Sequence, residues 1–441
     1  MRGRVRDDPA SLRAGGHDGS HLVGSPRAVV FPEDADDVRA LVEWARAHRV
    51  PLVPRGAGTS LDGESVPVDG GVVVDLSEWK DVEEVSADER WARVGPGVVN
   101  LALQQAARPH GLFFPPNPGS WTTSTIGGNV GTNASGPRSY RYGPTRAWVR
   151  ELEVVLGNGR CLHLGTRAAK RSLGPDLLSL IVGSEGTLGI VTEVTVRLAP
   201  LPPVRRGIVV PIPEGTRLGA LVGRLTRAPI EGLSAVEYVD RASAEALAQY
   251  GRPIGPGGAA WLLLEIEASD AVEAESRTAQ LASVLASGGI AGPPIPYEDA
   301  DDLWTRRGES STALDRQLGS RIREDIAVPI GRMDDMLTEL ARIAAEERAP
   351  LFLFGHLGEG NLHPNFAVDP ATPAADRIRE RTVLAALVLG GTISAEHGIG
   401  RLKRPFVERE LGSGAVEWLW SVKRWCDPDG ILNPEKLYPP R

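Results

Sequence analysis

The sequence predicts an α+β fold of two or three domains. Its 441 residues are enough for several domains, each with a hydrophobic core of its own. The 51 glycines and 35 prolines exceed average usage, which favours a loop-rich α+β protein over a helical bundle. Strand-like and helix-like segments alternate along the chain, and the prolines at 200–203 predict a domain boundary.

The chain begins with a predicted β-α-β unit. Residues 1–24 are polar, and we expect them to be poorly ordered. A short strand at 29–31 precedes a helix at 34–48, which has apolar residues at helical spacing and acidic residues at its N-terminal end. A second strand at 51–53 leads into the glycine-rich segment PRGAGTSL.

Further elements are predicted on both sides of the boundary. Before it we expect strands at 72–76, 92–94, 151–156, 161–164, 178–182 and 191–198 and a helix at 99–107. After it we expect strands near 206–211 and 260–267 and helices near 217–226, 271–287 and 376–389. An Asn-Gly pair at 158–159 is the strongest short-range hairpin signal, so we expect the two strands around it to pair.

Charge, hydropathy and cysteine content argue against several classes of protein. The 49 Lys and Arg against 57 Asp and Glu give a net charge of −8, which argues against a nucleic-acid partner. The sequence has neither the roughly 18 apolar residues of a membrane span nor the apolar region of a signal peptide. Cys161 and Cys426 cannot build a disulfide framework or a four-cysteine iron–sulfur cluster, so the expected location is the reducing cytoplasm.

Three glycine-rich stretches, at 54–61, 115–143 and 183–191, indicate a ligand site. The long stretch is dense in Gly, Asn, Ser and Thr, and a loop of this length inside a domain is uncommon unless it is functional. Small side chains let the backbone approach a ligand closely, while Asn, Ser and Thr supply hydrogen bonds. The alternative is a mobile surface loop. Taken together, the stretches favour one large nucleotide-like ligand held by backbone N–H groups.

The three stretches closely resemble the FAD-binding domain of the vanillyl-alcohol oxidase (PCMH-type) superfamily. The matching segments are PRGAGTSL, PPNPGSWTTSTIGGNVGTNASGPRSYRYGP and SLIVGSEGTLGIVTEVTVRL, in this order and spacing. Within that superfamily the chain is similar, from about residue 25 to residue 439, to the D-lactate, glycolate and D-2-hydroxyglutarate dehydrogenases. The resemblance implies a two-subdomain PCMH-type FAD-binding domain plus an α+β cap domain with an antiparallel sheet. The implied segments are an N-terminal segment at 1–24, the FAD-binding domain at 25–202, the cap domain with a metal site at 203–411, and a C-terminal segment at 412–441 that returns to the FAD domain.

The resemblance also implies which residues bind FAD. The backbone N–H groups of 56–60 are expected to bind the diphosphate, and a residue of the C-terminal segment is expected to lie near the flavin. The expected cofactor-binding residues are Arg55, Gly56, Ala57, Gly58, Thr59, Ser60, Pro118, Gly119, Ser120, Ser124, Thr125, Gly127, Gly128, Asn129, Asn133, Ala134, Gly136, Glu185, Gly186, Gly189, Ile190 and Asn433. Some members attach the flavin through a histidine in the early loop; PRGAGTSL has none, so we expect non-covalent FAD.

A histidine pair lies in the segment GHLGEGNLH. If Glu359 and Gly360 form a two-residue hairpin turn, His356 and His363 lie opposite each other with Cβ atoms about 5 Å apart. Two imidazoles at that spacing suit one metal ion, and Asn365 points to the same face of the strand. The alternative is two unrelated histidines in a loop.

The segment SAEHG supplies a carboxylate and a third histidine. Glu396 completes a set of two histidines and one carboxylate, which leaves open positions for substrate as catalytic zinc sites do. In the D-2-hydroxy acid branch, GHxGxGNxH followed by SAEHG carries these roles: His356, His363 and Glu396 match the metal ligands, and His397 matches the general base. We therefore expect one divalent metal, with zinc favoured over Mn or Fe.

Two arginines are candidates for binding the substrate. Arg307 matches the arginine of the family's W-x-x-R segment, which binds the substrate carboxylate. Arg323 lies where the hydroxyglutarate branch has a lysine for a second carboxylate, and this replacement keeps the charge but changes the geometry. Asn365 is expected to contact the substrate as well. The alternative for each arginine is a solvated surface residue.

These motifs predict FAD-dependent oxidation of a D-2-hydroxy acid to the 2-oxo acid. The substrate would bind the metal, His397 would take the hydroxyl proton, and a hydride would pass to the flavin. The rival hypotheses are a non-redox transferase of the alkyl-dihydroxyacetone-phosphate synthase type and a non-catalytic FAD-binding subunit of a complex. The expected partners are the small hydroxy acid and an electron acceptor, which is left open among a quinone, a cytochrome, an electron-transfer flavoprotein and O2. A homodimer is also left open.

Overall fold

The chain divides into two compact units. The computed structural model describes residues 3–440 apart from 229, 291, 293 and 298. The first unit comprises Met1–Ser135, Gly143–Leu201 and Glu396–Arg441, and the second comprises Gly136–Tyr142 and Pro202–Ala395. The predicted domain boundaries after 202 and 411 stay predictions, and residues 1, 2 and 441 of the predicted terminal segments lie outside the described residues.

Strands and helices alternate through both units. The described strands are β1 (Arg4–Arg6), β2 (Ala28–Phe31), β3 (Leu52–Arg55), β4 (Val72–Asp75), β5 (Val82–Ser86), β6 (Trp91–Val94), β7 (Leu112–Phe113), β8 (Val149–Leu156), β9 (Cys161–Gly165), β10 (Gly189–Arg197), β11 (Ala199–Pro200), β12 (Val204–Ile212), β13 (Leu233–Val239), β14 (Ala260–Ala268), β15 (Ile295–Tyr297), β16 (Ile322–Arg323), β17 (Ile326–Ala327), β18 (Leu351–Gly355) and β19 (Asn361–Phe366). The described α-helices are α1 (Pro9–Gly15), α2 (Ala35–His48), α3 (Asn100–Ala107), α4 (Ile126–Thr132), α5 (Ser139–Tyr142), α6 (Leu177–Ile181), α7 (Leu218–Arg227), α8 (Arg241–Gln249), α9 (Ala271–Ser287), α10 (Ala300–Gly308), α11 (Ser310–Leu318), α12 (Met333–Glu347), α13 (Pro373–Val388), α14 (Val407–Leu411) and α15 (Ser413–Cys426). Among these helices, none combines the length and the apolar character that crossing a membrane requires.

The first unit contains a four-stranded sheet in the order β1-β2-β4-β3. Strands β2 and β3 both pair with β4 in parallel, and α2 connects β2 to β3, so the predicted β-α-β unit is confirmed. The C-terminal segment extends the β3 side, where Leu52 forms a parallel bridge with Leu432. The expectation of poor order in the N-terminal segment was wrong for the part that the structure describes, which begins at residue 3. Strand β1 is exposed, but its backbone pairs with β2, and Asp8 caps α1 by accepting hydrogen bonds from two backbone N–H groups.

A second, antiparallel sheet of the first unit has the order β5-β6-β10-β8-β9. The predicted hairpin between β8 and β9 is confirmed, with Gly159 at a φ of 84° in its turn. Two other expectations were wrong. Residues 178–182 form most of helix α6 and its C-terminal cap rather than a strand. Asp176 caps the N-terminus of this helix, and Leu178 and Ile181 form its one buried side. The long glycine-rich stretch contains α4 and α5, since Thr125 caps α4 through a hydrogen bond from the Gly128 N–H.

The second unit is built on an eight-stranded antiparallel sheet. Its order is β15-β12-β14-β13-β18-β19-β16, with β17 paired to β19 beside this path. Alternate side chains of β14 enter two core clusters, so one face of the sheet packs against α7, α9, α12 and α13 and the other against α8, α10 and α11. The α+β class and the antiparallel sheet predicted from the sequence are confirmed.

Candidate functional site

The first glycine-rich stretch lies close to the part of the second that belongs to the first unit. A Cβ atom added to Gly56 would clash with the Thr125 hydroxyl at the N-terminus of α4. Gly58 has a φ of 67°, which favours glycine, and a side chain there would meet the Arg55 guanidinium. The loop that follows β3 therefore brings the Gly56 backbone directly against the Thr125 side chain at the start of α4.

Several predicted cofactor residues in this unit carry buried polar atoms that lack a hydrogen-bond partner within the described residues. These atoms are the Ser124 hydroxyl, the Asn129 side-chain amide nitrogen and the Asn433 side-chain carbonyl oxygen. A buried polar atom without a partner is costly, and such groups commonly mark where a ligand or water belongs. Their position beside the glycine-rich loop fits a bound FAD.

Some other predicted cofactor residues have visible structural roles. Asn133 ends α4 in the left-handed conformation at a φ of 55°, and its side-chain oxygen accepts a hydrogen bond from the Arg146 N–H at 2.9 Å. Gly136 falls in the second unit. Contacts of these two residues with FAD stay predictions.

Glu185 joins the third glycine-rich stretch to the segment that follows His397. Its carboxylate accepts hydrogen bonds from the N–H groups of Ile399 at 2.6 Å and Gly400 at 3.0 Å. The Asn433 side chain donates to the Glu185 carbonyl at 2.7 Å. Three distant parts of the chain therefore meet at Glu185 within the first unit.

Two buried carboxyl groups converge beneath Gly398. A Cβ atom on Gly398 would lie 2.6 Å from Glu64 Oε1 and 3.0 Å from Glu185 Oε1. Burial raises the pKa of Glu64 well above its usual range, and the charges of Glu185 and Asp62 raise it further. Burial also raises the pKa of Glu185 to about 7. We infer that this pair holds at least one proton at neutral pH.

We expect Glu64→Gln to stabilise the protein at neutral pH. The folded chain keeps a proton on Glu64 at pH values where the unfolded chain, with a pKa near the ordinary 4.5, has released it. Stability is therefore full below the unfolded pKa and falls as the pH rises toward the folded pKa. Glutamine escapes this loss, so the melting temperature should exceed that of the parent at about pH 8 but not at about pH 4.

Thermal unfolding at the two pH values tests this prediction. The control is Glu43→Gln at an exposed position, which should leave the melting temperature unchanged at both pH values. A Glu64→Gln variant that melts below the parent at the higher pH would show that Glu64 is needed as a charged group.

In the second unit, the loop between β18 and β19 differs from the predicted turn. His363 pairs with Phe354 rather than with His356, so the expected two-residue hairpin was wrong. A short 3-10 helix at Leu357–Glu359 fills the connection, and Gly360 closes it at a φ of 77° with its N–H bonded to the Leu357 carbonyl. The two imidazoles nevertheless approach each other, with ring centroids 5.0 Å apart and ring planes at 88°.

A buried carboxylate lies near the Nδ1 atom of each imidazole, at hydrogen-bond distance for His356 and farther away for His363. His356 Nδ1 lies 2.5 Å from Glu237 Oε1, and His363 Nδ1 lies 3.5 Å from Asp325 Oδ1. Asp325 also accepts a hydrogen bond from the Asn361 amide. Histidines that bind metals in proteins usually have such a carboxylate, which leaves Nε2 for the ion. The pair therefore fits a divalent metal.

Glu237 and Asp325 were not identified from the sequence. A signal was available for Glu237, which is the one charged residue in the largely apolar segment LSAVEYV. The signal for Asp325 was weaker, since it follows the acidic Glu324 and only then precedes an apolar run. A buried carboxylate needs a partner, which directs attention to histidines and arginines elsewhere in the chain.

Glu396 and His397 open the last segment of the first unit. His397 Nε2 lies 3.9 Å from Glu396 Oε1, and both side chains are mostly buried. The structure thus brings together the two histidines in the second unit, and Glu396 with His397 in the first. The complete set of three metal ligands and a base stays a prediction.

Arg307 is buried on α10, with 6% of its surface exposed, so it is not a solvated surface residue. One guanidinium nitrogen, Nη2, lies 2.8 Å from Glu237 Oε2, and the group stacks 4.7 Å from the Phe354 ring centroid. Its Nε atom is buried and has no hydrogen-bond partner within the part of the chain that the structure describes. A donor of this kind is suited to an anionic ligand.

Arg323 shares an acidic partner with Arg321, a residue that sequence reasoning missed. Arg323 Nη2 lies 2.7 and 2.8 Å from the two Asp315 oxygens, and Arg321 Nη2 lies 3.1 Å from one of them. Arg321 is almost fully buried and donates to the side-chain oxygen of Asn365, whose amide nitrogen donates to the His363 carbonyl at 2.8 Å. Two guanidinium groups therefore meet at the Asp315 carboxylate on this part of the sheet.

Comparisons with known proteins identify the family to which the chain belongs. The family described as the FAD binding domain matches residues 26–165, and the C-terminal domain of FAD linked oxidases matches residues 201–437. The chain is 34% identical over 420 residues to the glycolate oxidase subunit GlcD of Bacillus subtilis, covering 94% of this chain and 89% of the relative. It is 34% identical over 453 residues to D-2-hydroxyglutarate dehydrogenase of Stutzerimonas stutzeri, covering 99% and 96%. It is also 34% identical over 423 residues to D-lactate dehydrogenase of Archaeoglobus fulgidus, covering 94% and 93%.

The fold recurs in a solved structure. The crystal structure of p-cresol methylhydroxylase with bound substrate superposes with a TM-score of 0.83 over 98% of this chain and 93% of that protein. The two sequences are 16% identical, so this likeness establishes the PCMH-type fold alone.

Proposed function

Because this chain belongs to the family of FAD-linked oxidases, we propose that it oxidises a D-2-hydroxy acid to the corresponding 2-oxo acid. It is an FAD-dependent oxidoreductase that acts on CH–OH groups. The three relatives are named for glycolate, D-2-hydroxyglutarate and D-lactate, all of them 2-hydroxy acids. The observation that carries the proposal is the pair of buried imidazoles, each backed by a carboxylate, with a buried arginine beside one of those carboxylates.

When bound, FAD would supply the hydride acceptor and a divalent metal the Lewis acid that acidifies the substrate hydroxyl. His356, His363 and Glu396 are the residues we propose to hold the metal, with zinc favoured and Mn or Fe as alternatives. His397 would then take the hydroxyl proton as a positioned general base.

We propose that arginines of the second unit orient the substrate. Arg307 would bind the substrate carboxylate through its buried N–H groups, which fixes the acid relative to the imidazoles. Arg323 and Asn365 are proposed to contact the rest of the substrate. If Arg323 contacts the substrate, its guanidinium would suit a second anionic group on the substrate.

Anaerobic mixing with D- and L-forms of lactate and 2-hydroxyglutarate, and with glycolate, tests the proposal. A D-2-hydroxy acid should bleach the flavin absorbance, whereas a transferase or a non-catalytic subunit would leave it unchanged. Acid precipitation should release intact FAD into the supernatant, because the early loop has no histidine for covalent attachment. Flavin that stays oxidised with every acid would contradict the proposed reaction, and flavin in the pellet would contradict non-covalent binding.

A further inference from the structure

A single buried carboxylate lies between a proposed metal ligand and the proposed carboxylate-binding arginine. Glu237 lies near the C-terminal end of β13 and is 0% exposed. Its Oε1 atom lies 2.5 Å from His356 Nδ1, and its Oε2 atom lies 2.8 Å from Arg307 Nη2. The two oxygens of one side chain thus contact both functional groups.

The charges explain why such a bridge forms. A carboxylate buried without a partner is strongly disfavoured, and Arg307 supplies the compensating positive charge. The remaining oxygen can then accept the Nδ1–H of His356, which keeps the lone pair of this imidazole on Nε2. An imidazole without this carboxylate could turn or change its tautomer.

A second buried glutamate of the same sheet shows what a purely structural carboxylate looks like. Glu265, on the neighbouring strand β14, is also fully buried and lies 2.6 Å from Arg205 and 3.3 Å from Arg138. Its other described hydrogen bonds come from Trp304 and Ser234, and none of these partners is a histidine. The two glutamates differ in that only Glu237 connects an arginine to an imidazole.

We propose that Glu237 is a positioning residue that fixes His356 for metal binding and holds Arg307 in place for the substrate carboxylate. This inference rests on the proposed function, since it takes His356 as a metal ligand. It predicts that loss of Glu237 weakens metal binding in the absence of any substrate or turnover.

The test measures zinc affinity directly. The full chain with FAD bound is stripped of metal by a chelator and titrated with Zn²⁺ against a competing chelator. We expect Glu237→Gln to weaken zinc binding by roughly 10–100-fold, the usual effect of losing a carboxylate behind a metal-binding histidine. Glu265→Gln, the matched control, should bind zinc as the parent does.

A double variant separates the effect of losing Glu237 from an effect of misfolding. Glu237→Gln leaves Arg307 buried without its counter-charge, so the variant Glu237→Gln/Arg307→Met removes both charges together. FAD content and cooperative thermal unfolding show that the double variant is folded, and its zinc affinity should remain weakened. Arg307→Met alone should weaken zinc binding less than the double variant does, because Glu237 is still present to accept the Nδ1–H of His356.

Parent-like zinc affinity in a folded variant without Glu237 would overturn the inference and leave the proposed metal set intact. An equal loss in Glu265→Gln would also overturn it, because the effect would then come from the core rather than from His356. A parent chain that binds no zinc would overturn both this inference and the proposed metal ligands.

Discussion

His397→Ala is expected to slow anaerobic flavin reduction by roughly 10²–10⁴-fold, the usual contribution of one positioned proton acceptor. The hydroxyl proton must leave before the hydride can, and His397 is the titratable group next to Glu396. FAD and metal should both stay bound, because in the proposed site His397 holds neither. Stopped-flow absorbance at several pH values measures the rate. In the parent protein the rate of flavin reduction should rise with pH through an apparent pKa. In the His397→Ala variant this pH dependence should be absent.

His163→Ala provides the control for this experiment. This histidine belongs to the same unit but is 76% exposed on strand β9, where it pairs with Glu153. Its loss should leave the rate of flavin reduction and the pH profile unchanged. If His397→Ala reduced its flavin at the parent rate, the base would lie elsewhere. If it lost its metal, the roles of His397 and Glu396 would have to be exchanged.

Glu396→Gln is expected to lose the metal and, with it, more than about 10²-fold of turnover, since removing a ligand should cost more than removing its supporting partner. A neutral amide is a poor donor to a hard divalent ion, and the two histidines alone would hold the metal weakly. Elemental analysis and steady-state turnover measure the two losses together. A chelator should likewise abolish activity of the parent while FAD stays bound.

The exposed Glu417→Gln on α15 is the matched control, and it should keep both metal and turnover. Full activity in a parent preparation shown to be metal-free would contradict the proposed role of the metal. A Glu396→Gln variant that keeps its metal but loses turnover would show that Glu396 takes part in the reaction without being a metal ligand.

Local sequence pattern predicted several of the longer helices and strands. Helix α9 and strand β14 lie where the apolar spacing predicted them, and the Asn-Gly pair predicted the hairpin of β8 and β9. The glycine-rich stretches and the histidine motifs indicated the cofactor and the candidate site, because short segments with defined side chains carry them. Helix α6 was missed because its apolar residues are too few to distinguish a helix from a strand.

The contacts that tune the candidate site were not predictable in this way. Glu237 and His356 are 119 residues apart, and neither the period of a strand nor that of a helix relates positions at that separation. The histidine loop was mispredicted because a 3-10 turn and a two-residue hairpin fit the same short glycine-rich segment. Register and pairing in such loops depend on tertiary packing, which one sequence does not display.

The division of the chain between the units also has a consequence during synthesis on the ribosome. Nearly all of the second unit emerges as one continuous stretch, so it can fold as soon as Ala395 has been released. The first unit must wait for its last segment, which supplies the strand-like bridge from Leu432 to Leu52 and the backbone donors for Glu185. At roughly 5–20 residues per second this delay lasts a few seconds. During that interval the edge of strand β3 that later pairs with Leu432 stays open in the nascent FAD-binding unit.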